Sequence, residues 1–387
     1  MKKLLVILFA STLMACGRGG GAGGGVIVFD YKTNYPASDL TLADVADVEF
    51  IPIGTSDDFL MSGITNAKAG EAYVSDQFVI YKDNNQGQLY VFDRQGNPIR
   101  KIGQKGRGPG EYLWIQHFVG VDEASDEVYI YDGMLDNLLV YSLTGEFKRD
   151  FKIESNAYLG GMQLLNDEEI ICFDQMGYEG FFTVSRQDGK IVRKFPIDLI
   201  PYAHDPDGRM AYPNLFANKN GMTLFDLRTD TIYRMTNEGE MIPTLVDITK
   251  YPSPSELYGP DNAQFLPLFE TERYIMGNIL TMPWITPDVK GKNYVYDKQK
   301  GRWFTLAGED SFSIRELGMA KLGIGAINGQ LNIERCARTL NPGYATILLQ
   351  PGNLLENRDK WESKELEAVL KGVTENDNPI LMLITFK

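Results

Sequence analysis

The residues of this 387-residue chain that could do chemistry are few and widely spaced. Four aspartates, Asp83, Asp132, Asp174 and Asp226, each close an apolar and aromatic segment, at intervals of 49, 42 and 52 residues. A recurring ring of carboxylates could hold a calcium ion through hard oxygen ligands. The same regularity fits one turn-capping Asp per repeat, accepting backbone N–H groups at a strand end. Only two histidines, His117 and His204, and three cysteines, Cys16, Cys172 and Cys336, accompany them. That is too few for a zinc cluster, an iron–sulfur frame or a disulfide framework. No GxSxG sequence occurs, so neither histidine has a nucleophile elbow to serve. The block KGRGPGEY around Arg107 lacks the Lys-Ser/Thr ending of a phosphate-cradling loop and leads into no helix. Its glycines either permit a tight chain crossing, with Arg107 bracing a neighbouring carboxylate, or present that guanidinium to a ligand.

Composition bounds the rest. A hydrophobic fraction of 43% and an aromatic fraction of 11% are enough to bury a large core. The formal charge of −14 would be repelled by nucleic acid and by an anionic membrane surface, which argues against both as partners of the folded body. Cys172 and Cys336 lie in apolar stretches and read as small buried hydrophobes, although an oxidising compartment leaves a bridge between them open.

The elements that must position these residues repeat. After each of the four aspartates comes a strand, a polar turn with Gly, and another strand, with the turn glycines Gly96, Gly145, Gly189 and Gly239 following at 13, 13, 15 and 13 residues. A fifth copy runs from Tyr294 to Leu306 with its turn at Gly301. Short strands enriched in β-branched and aromatic residues, joined by Gly, Asn or Asp turns, are the pattern of antiparallel meanders. Four strands per unit of this length make a propeller blade. From Val45 to Lys387, six blades would average about 57 residues each. The chain is therefore expected to be all-β, a six-bladed β-propeller with four antiparallel strands per blade, in one domain over 26–387. The sixth blade is assembled from Gly329–Ile333, Tyr344–Leu349 and Ile380–Phe386, and the early strand Val48–Ile53 is expected to pair with it and close the ring. Trp361, Leu366, Val369, Leu370 and Val373 share one face of a short C-terminal helix, packed on the last blade or recruiting a partner.

In a propeller, the crossings between blades and the turns between second and third strands open on one face. The long loops Gln104–His117, Asp198–Asn214, Thr249–Gln264 and Leu280–Asn293 are expected to gather there. They carry Arg107, Trp114, His117, Tyr202, His204, Tyr212, Tyr251, Tyr258 and Trp284. Flat apolar faces with polar rims and one guanidinium suit a sugar or an extended peptide, and the same aromatics could equally be packing under the loops.

The N-terminus is an address. Lys2 and Lys3 precede the apolar run Leu4–Ala10, too short to span a bilayer, and Leu13-Met14-Ala15-Cys16 resembles the lipobox at which bacterial lipoproteins are cleaved and acylated. That resemblance implies a signal peptide over 1–15, a lipidated Cys16, and a Gly-rich tether over 16–25. Gly17 is not Asp and the tether lacks an acidic cluster, which points to the outer membrane on its periplasmic side.

Residues 101–151, from KIGQKGRGPGEY to the strand–turn–strand around Gly145, resemble an NHL-type repeat of the NHL/TolB-like propellers. With VEFIPIGTSDD and the terminal ENDNPILMLITFK, the chain is similar to the six-bladed β-propeller lipoproteins of Bacteroidetes. That resemblance implies fold and location and transfers no catalytic residue. The expected function is a non-catalytic binding or scaffolding module for an envelope protein, a peptide or a glycan, with no cofactor. The fold also resembles that of calcium-dependent lactonases, whose metal sits in the central tunnel, and this keeps a metal-dependent hydrolase as the alternative.

Overall fold

Each repeat folds as four antiparallel strands. In the second blade these are Ile115–Asp122, Glu127–Asp132, Asn137–Tyr141 and Phe147–Phe151. The turn glycines explain why the repeat is so regular: Gly96, Gly145, Gly189, Gly239 and Gly301 all have φ between 63° and 89°, a region that residues with a Cβ rarely enter. The second strands, Phe78–Asp83, Glu127–Asp132 and Glu169–Asp174, are buried along nearly their whole length because a blade packs neighbours on both faces. Their sequences accordingly read as continuous apolar runs.

The protein is described by a computed structural model over residues 25–38, 40, 42–61, 71–176, 179–195, 214–218, 221–226, 229–248, 264–280, 293–306, 338–340, 342–356, 358 and 363–387. Blade 1 spans 71–102, blade 2 115–151, blade 3 159–195, blade 4 214–247 and blade 5 264–306. Blade 6 joins Tyr344–Leu349, Ile380–Phe386 and Ala46–Pro52. Six apolar clusters show that the blades form a ring. Blades 1 and 2 share Ile80, Leu89, Phe118 and Ile130. Blades 2 and 3 share Tyr129, Val140, Ile170 and Phe182, and blades 3 and 4 share Phe173, Phe181, Leu215 and Leu224. Phe225, Leu245, Phe265 and Trp303 join blades 4 and 5. Met276, Val295, Leu349 and Met382 join blades 5 and 6, and Leu381, Leu383, Val79 and Tyr90 join blade 6 to blade 1.

The ring closes where expected. Ala46–Pro52 pairs antiparallel with Ile380–Phe386, from Ala46 opposite Phe386 to Pro52 opposite Ile380. The N-terminal segment does more than close it. Ile27–Phe29 lies parallel against the outer strand of blade 4, and Ala37–Ser38 against the outer strand of blade 5, so residues 27–52 form a belt across three successive blades. Phe29 anchors the belt: it is fully buried against Tyr35, Phe265, Tyr294 and Trp303, and Trp303 Nε1–H donates to the Val28 carbonyl at 2.8 Å.

Arg338–Thr339 pairs parallel with Glu71 and Ala72 on the innermost strand of blade 1. Leu340 N–H donates to Ala72 O at 2.8 Å, and the buried Gln163 of blade 3 donates to Leu340 O at 2.9 Å. A strand paired to the inner edge of one blade and bonded to another lies across the middle of the ring. The segment Gly329–Ile333 of the expected sixth blade lies outside the described residues.

The C-terminal helix is Lys364–Leu370, capped by Ser363, whose hydroxyl accepts Leu366 N–H. Leu366 and Leu370 are buried against blade 6 with Val369 and Val373 packed beside them, which is the packing role. Two further helices, Leu42–Val45 and Pro351–Glu356, were not foreseen.

Candidate functional site

Three of the four recurrent aspartates are turn caps. Asp83 Oδ1 accepts the N–H groups of Asn85 and Gln86 at 2.9 and 3.0 Å. Asp132 Oδ1 accepts Met134 and Leu135, while Oδ2 takes Leu113 N–H at 2.6 Å. Asp174 spends one oxygen on Met176 and the other on Glu179. Oxygens committed to backbone donors inside turns do not fit a shared calcium site, and among the described residues no three His, Cys, Asp or Glu side chains come together as metal ligands.

Among the candidate residues, Arg107, Trp114 and His117 are described. Tyr202, His204, Tyr212, Tyr251, Tyr258, Trp284 and the lipidation residue Cys16 lie outside the described residues, as does Cys336. The KGRGPGEY block is a crossing organised on Glu111, whose carboxylate accepts Gly108 N–H at 2.7 Å and the Gln104 amide at 2.7 Å. Gly106 lies so close that a Cβ there would meet Glu111 Oε2 at 1.9 Å. Backbone hydrogen bonds from Gly108 and, more weakly, Arg107 help hold the Glu111 carboxyl below its ordinary range. The Arg107 guanidinium itself is exposed and makes no ion pair among the described residues, so bracing a carboxylate falls to the backbone.

His117 is not in a loop. The inner strand of blade 2 begins at Ile115 and carries it into the ring, 9% exposed and stacked on Tyr131. Its Nε2–H donates to Leu159 O of blade 3 at 2.9 Å, which turns Nδ1 toward Glu71 Oε1 of blade 1 at 3.9 Å. Burial alone would push the Glu71 carboxyl up. Lys82 at 3.1 Å, His117 and the Phe118 N–H at 2.7 Å outweigh it and hold the group well below the usual carboxylate range. Lys82 also donates to Gln116 O at 2.5 Å. Every member of this buried cluster has a partner on another strand, which makes it a brace joining blades 1, 2 and 3.

The surface above the brace is different. Most exposed large hydrophobic residues sit at the perimeter, on outer strands or the belt: Val26, Val28, Ile99, Phe147, Val192, Ile242 and Ile248. Four others lie on the face of crossings and second-to-third turns: Leu60 (54% exposed), Trp114 (37%), Met134 (71%) and Tyr158 (59%). Hydrogen bonds and close approaches through intervening groups link the segments that carry them. Leu60 O accepts the Gln86 amide at 2.8 Å, and the adjacent Gly87 lies against the Trp114 ring. Leu113 and Met134 share the Asp132 carboxylate. Gly133 abuts the Gln116 amide, which donates to Leu159 O at 2.9 Å, next to Tyr158. The four stand exposed on one face of blades 1 to 3, in an arc with polar groups between them. Sequence reasoning found only Trp114; the available signal for Met134 was its place two residues after a capping Asp, where the turn lifts a side chain off the blade.

The chain matches known proteins in fold more than in sequence. The sequence model of a family described as "Domain of unknown function (DUF4934)" matches residues 26–385. No curated protein matches the chain by sequence. A solved structure from Bacteroides fragilis NCTC 9343, described as an exported protein, superposes with a TM-score of 0.67 at 18% identity, covering 94% of this chain and all of that one. A DUF4221 member from Bacteroides vulgatus is also similar, with a TM-score of 0.49, 10% identity and coverage of 89% and 97%.

Proposed function

This chain belongs to the DUF4934 family, and from that membership and its six-bladed ring we propose a non-catalytic binding or scaffolding module of the bacterial envelope, taking a protein, peptide or glycan. The observation that carries the reading is the set of exposed large apolar side chains Leu60, Trp114, Met134 and Tyr158 on one face of the ring, residue types of which the aromatics and Met are enriched where proteins meet partners. Beneath it, Glu71, Lys82 and His117 brace the blades, and the strand Arg338–Thr339 pairs with the inner edge of blade 1.

The proposed address rests on the sequence. The similar Bacteroides fragilis protein is described as exported, and no described helix is long and apolar enough to cross a membrane. Lipid on Cys16, with the glycines after it as tether, would hold the ring at the outer membrane facing the periplasm. Cys16→Ser should move the protein from the membrane fraction to the soluble one.

Calcium and EDTA titrations of the full-length protein, followed by thermal unfolding, test the absence of catalysis. Neither should shift Tm, and lactone and ester substrates should turn over at background. Stoichiometric calcium with a large fall in Tm on EDTA would replace the module with a hydrolase.

A further inference from the structure

Eleven large apolar side chains stand exposed among the described residues, and four of them belong to the face already described. Four more, Ile99, Phe147, Val192 and Ile242, recur one per blade at the start of the outer strand, just after the turn glycines Gly96, Gly145, Gly189 and Gly239. The three that remain, Val26, Val28 and Ile248, come together on the rim of blade 4. Ile27–Phe29 runs beside the outer strand of that blade with Val28 opposite Val246. Ile27, Phe29 and Leu245 turn into the core shared with blade 5, so Val26, Val28, Val246 and Ile248 stand on the other face of the two strands. Ile248 N–H donates to Phe29 O at 2.9 Å, which keeps the strands in step to the end of the patch. Val28 is 50% exposed, Ile248 46% and Val26 44%. The carboxylates nearest in the chain flank the patch: Asp30 and Asp230 at its Ile248 end, and Glu240 in the turn before Met241 at the other.

The chain that leads into this patch says what covers it. From Gly19 to Phe29 no residue is charged, and Val26 follows Cys16 by ten residues. Even fully extended, ten residues reach only about 35 Å. Resting on the reading of Cys16 as an acylated anchor, we propose that Val26, Val28 and Ile248 settle into the headgroup boundary of the membrane that holds the lipid, so that the ring stands on the rim of blade 4. A second copy of the protein would have to arrive by diffusion, whereas the bilayer is always within reach. The anchor makes this second contact intramolecular, so a patch too small to bind a membrane by itself suffices. The flanking carboxylates stay in the hydrated headgroup layer while the apolar side chains between them leave water. A formal charge of −14 opposes an anionic surface, so the lipid that fits is zwitterionic. In a ring of six, blade 1 lies opposite blade 4, and the Leu60 end of the apolar arc is held farthest from the bilayer.

The test uses the protein purified from membranes, with the mass of its N-terminal peptide reporting acylation, reconstituted in phosphatidylcholine vesicles whose acyl chains carry bromine. Bromine quenches tryptophan emission at the acyl boundary. Val28→Trp and Ile248→Trp place a reporter in the patch, and Ile99→Trp places the same reporter on the rim of blade 1, over the same background of four native tryptophans. The emission added at Val28 or Ile248 should be quenched at least about twofold more than that added at Ile99, and replacing half of the lipid with phosphatidylglycerol should narrow the difference. An unaltered Tm shows that each variant folds, and two positions in the patch keep the test open if one does not. Equal quenching at the two rims of an acylated protein would overturn the proposal and leave the anchor standing. Patch emission that follows protein concentration in detergent, rather than lipid, would assign the patch to a second copy and overturn it too. An N-terminal peptide without acyl chains would instead sink the anchor reading, and the rim contact with it.

Discussion

Asp132 accepts the Leu113 backbone N–H at 2.6 Å, so a single buried carboxylate ties the crossing that enters blade 2 to the turn between that blade's second and third strands. The crossing and the turn are thereby held to each other. Asp132→Ala orphans the N–H groups of Leu113, Met134 and Leu135, each costing about 1–3 kcal/mol where water does not replace the acceptor. A lowered urea midpoint with an unchanged m-value should result, and Asp132→Asn should recover part of it.

Acid should find the Glu71 brace. A carboxyl held below its ordinary value binds protons more readily in the unfolded chain than in the folded one, so its contribution is complete above the ordinary carboxylate range. That contribution is lost as pH falls toward the lowered folded value. Glu71→Gln should make unfolding free energy flatter with pH below about 4.5 than in the wild type. At neutral pH the same change strands Lys82 and should cost about 3–5 kcal/mol, measured by denaturant titration.

Phe29 is the belt's anchor. Truncating a fully buried aromatic ring to Ala costs about 3–5 kcal/mol. If the belt clasps blades 4 and 5, Phe29→Ala should also speed amide exchange at Leu245 and Thr305, next to the belt pairings, while Val140 in blade 2 stays protected.

Cys172 is a buried free thiol within the core between blades 2 and 3, and burial pushes its pKa up. It should resist a thiol reagent in the native protein and react once urea unfolds the chain. Rapid native labelling would show that blade 3 opens.

Much of the architecture was legible in the sequence because turns are local. The Asp and Gly of each repeat set a cap and a left-handed φ within a few residues, so their spacing reports the blades directly. The closing pair Ala46–Pro52 with Ile380–Phe386 was legible too, since an unpaired apolar strand needs a partner. Arg338–Thr339 and Ile27–Phe29 were not. Short parallel strands add through backbone groups, which every residue carries, so no side-chain pattern announces them. Of the candidate site, Trp114 and Arg107 stood out by type, whereas His117 was read as a loop residue because the glycines before it hide where the strand begins. Met134 and Tyr158 are ordinary residues made conspicuous only by the turns that hold them out.

The belt also fixes an order of events. A chain emerges N-terminus first, yet Ala46 finds its partner only at Phe386, and Ile27 only at Leu245. Until blade 4 has emerged, Ile27–Phe29 has nothing to hold, and Ala46–Pro52 must wait for the last strand. Nascent blades would wait as an open arc with exposed edges, and completion of the ring would coincide with release of the last strand.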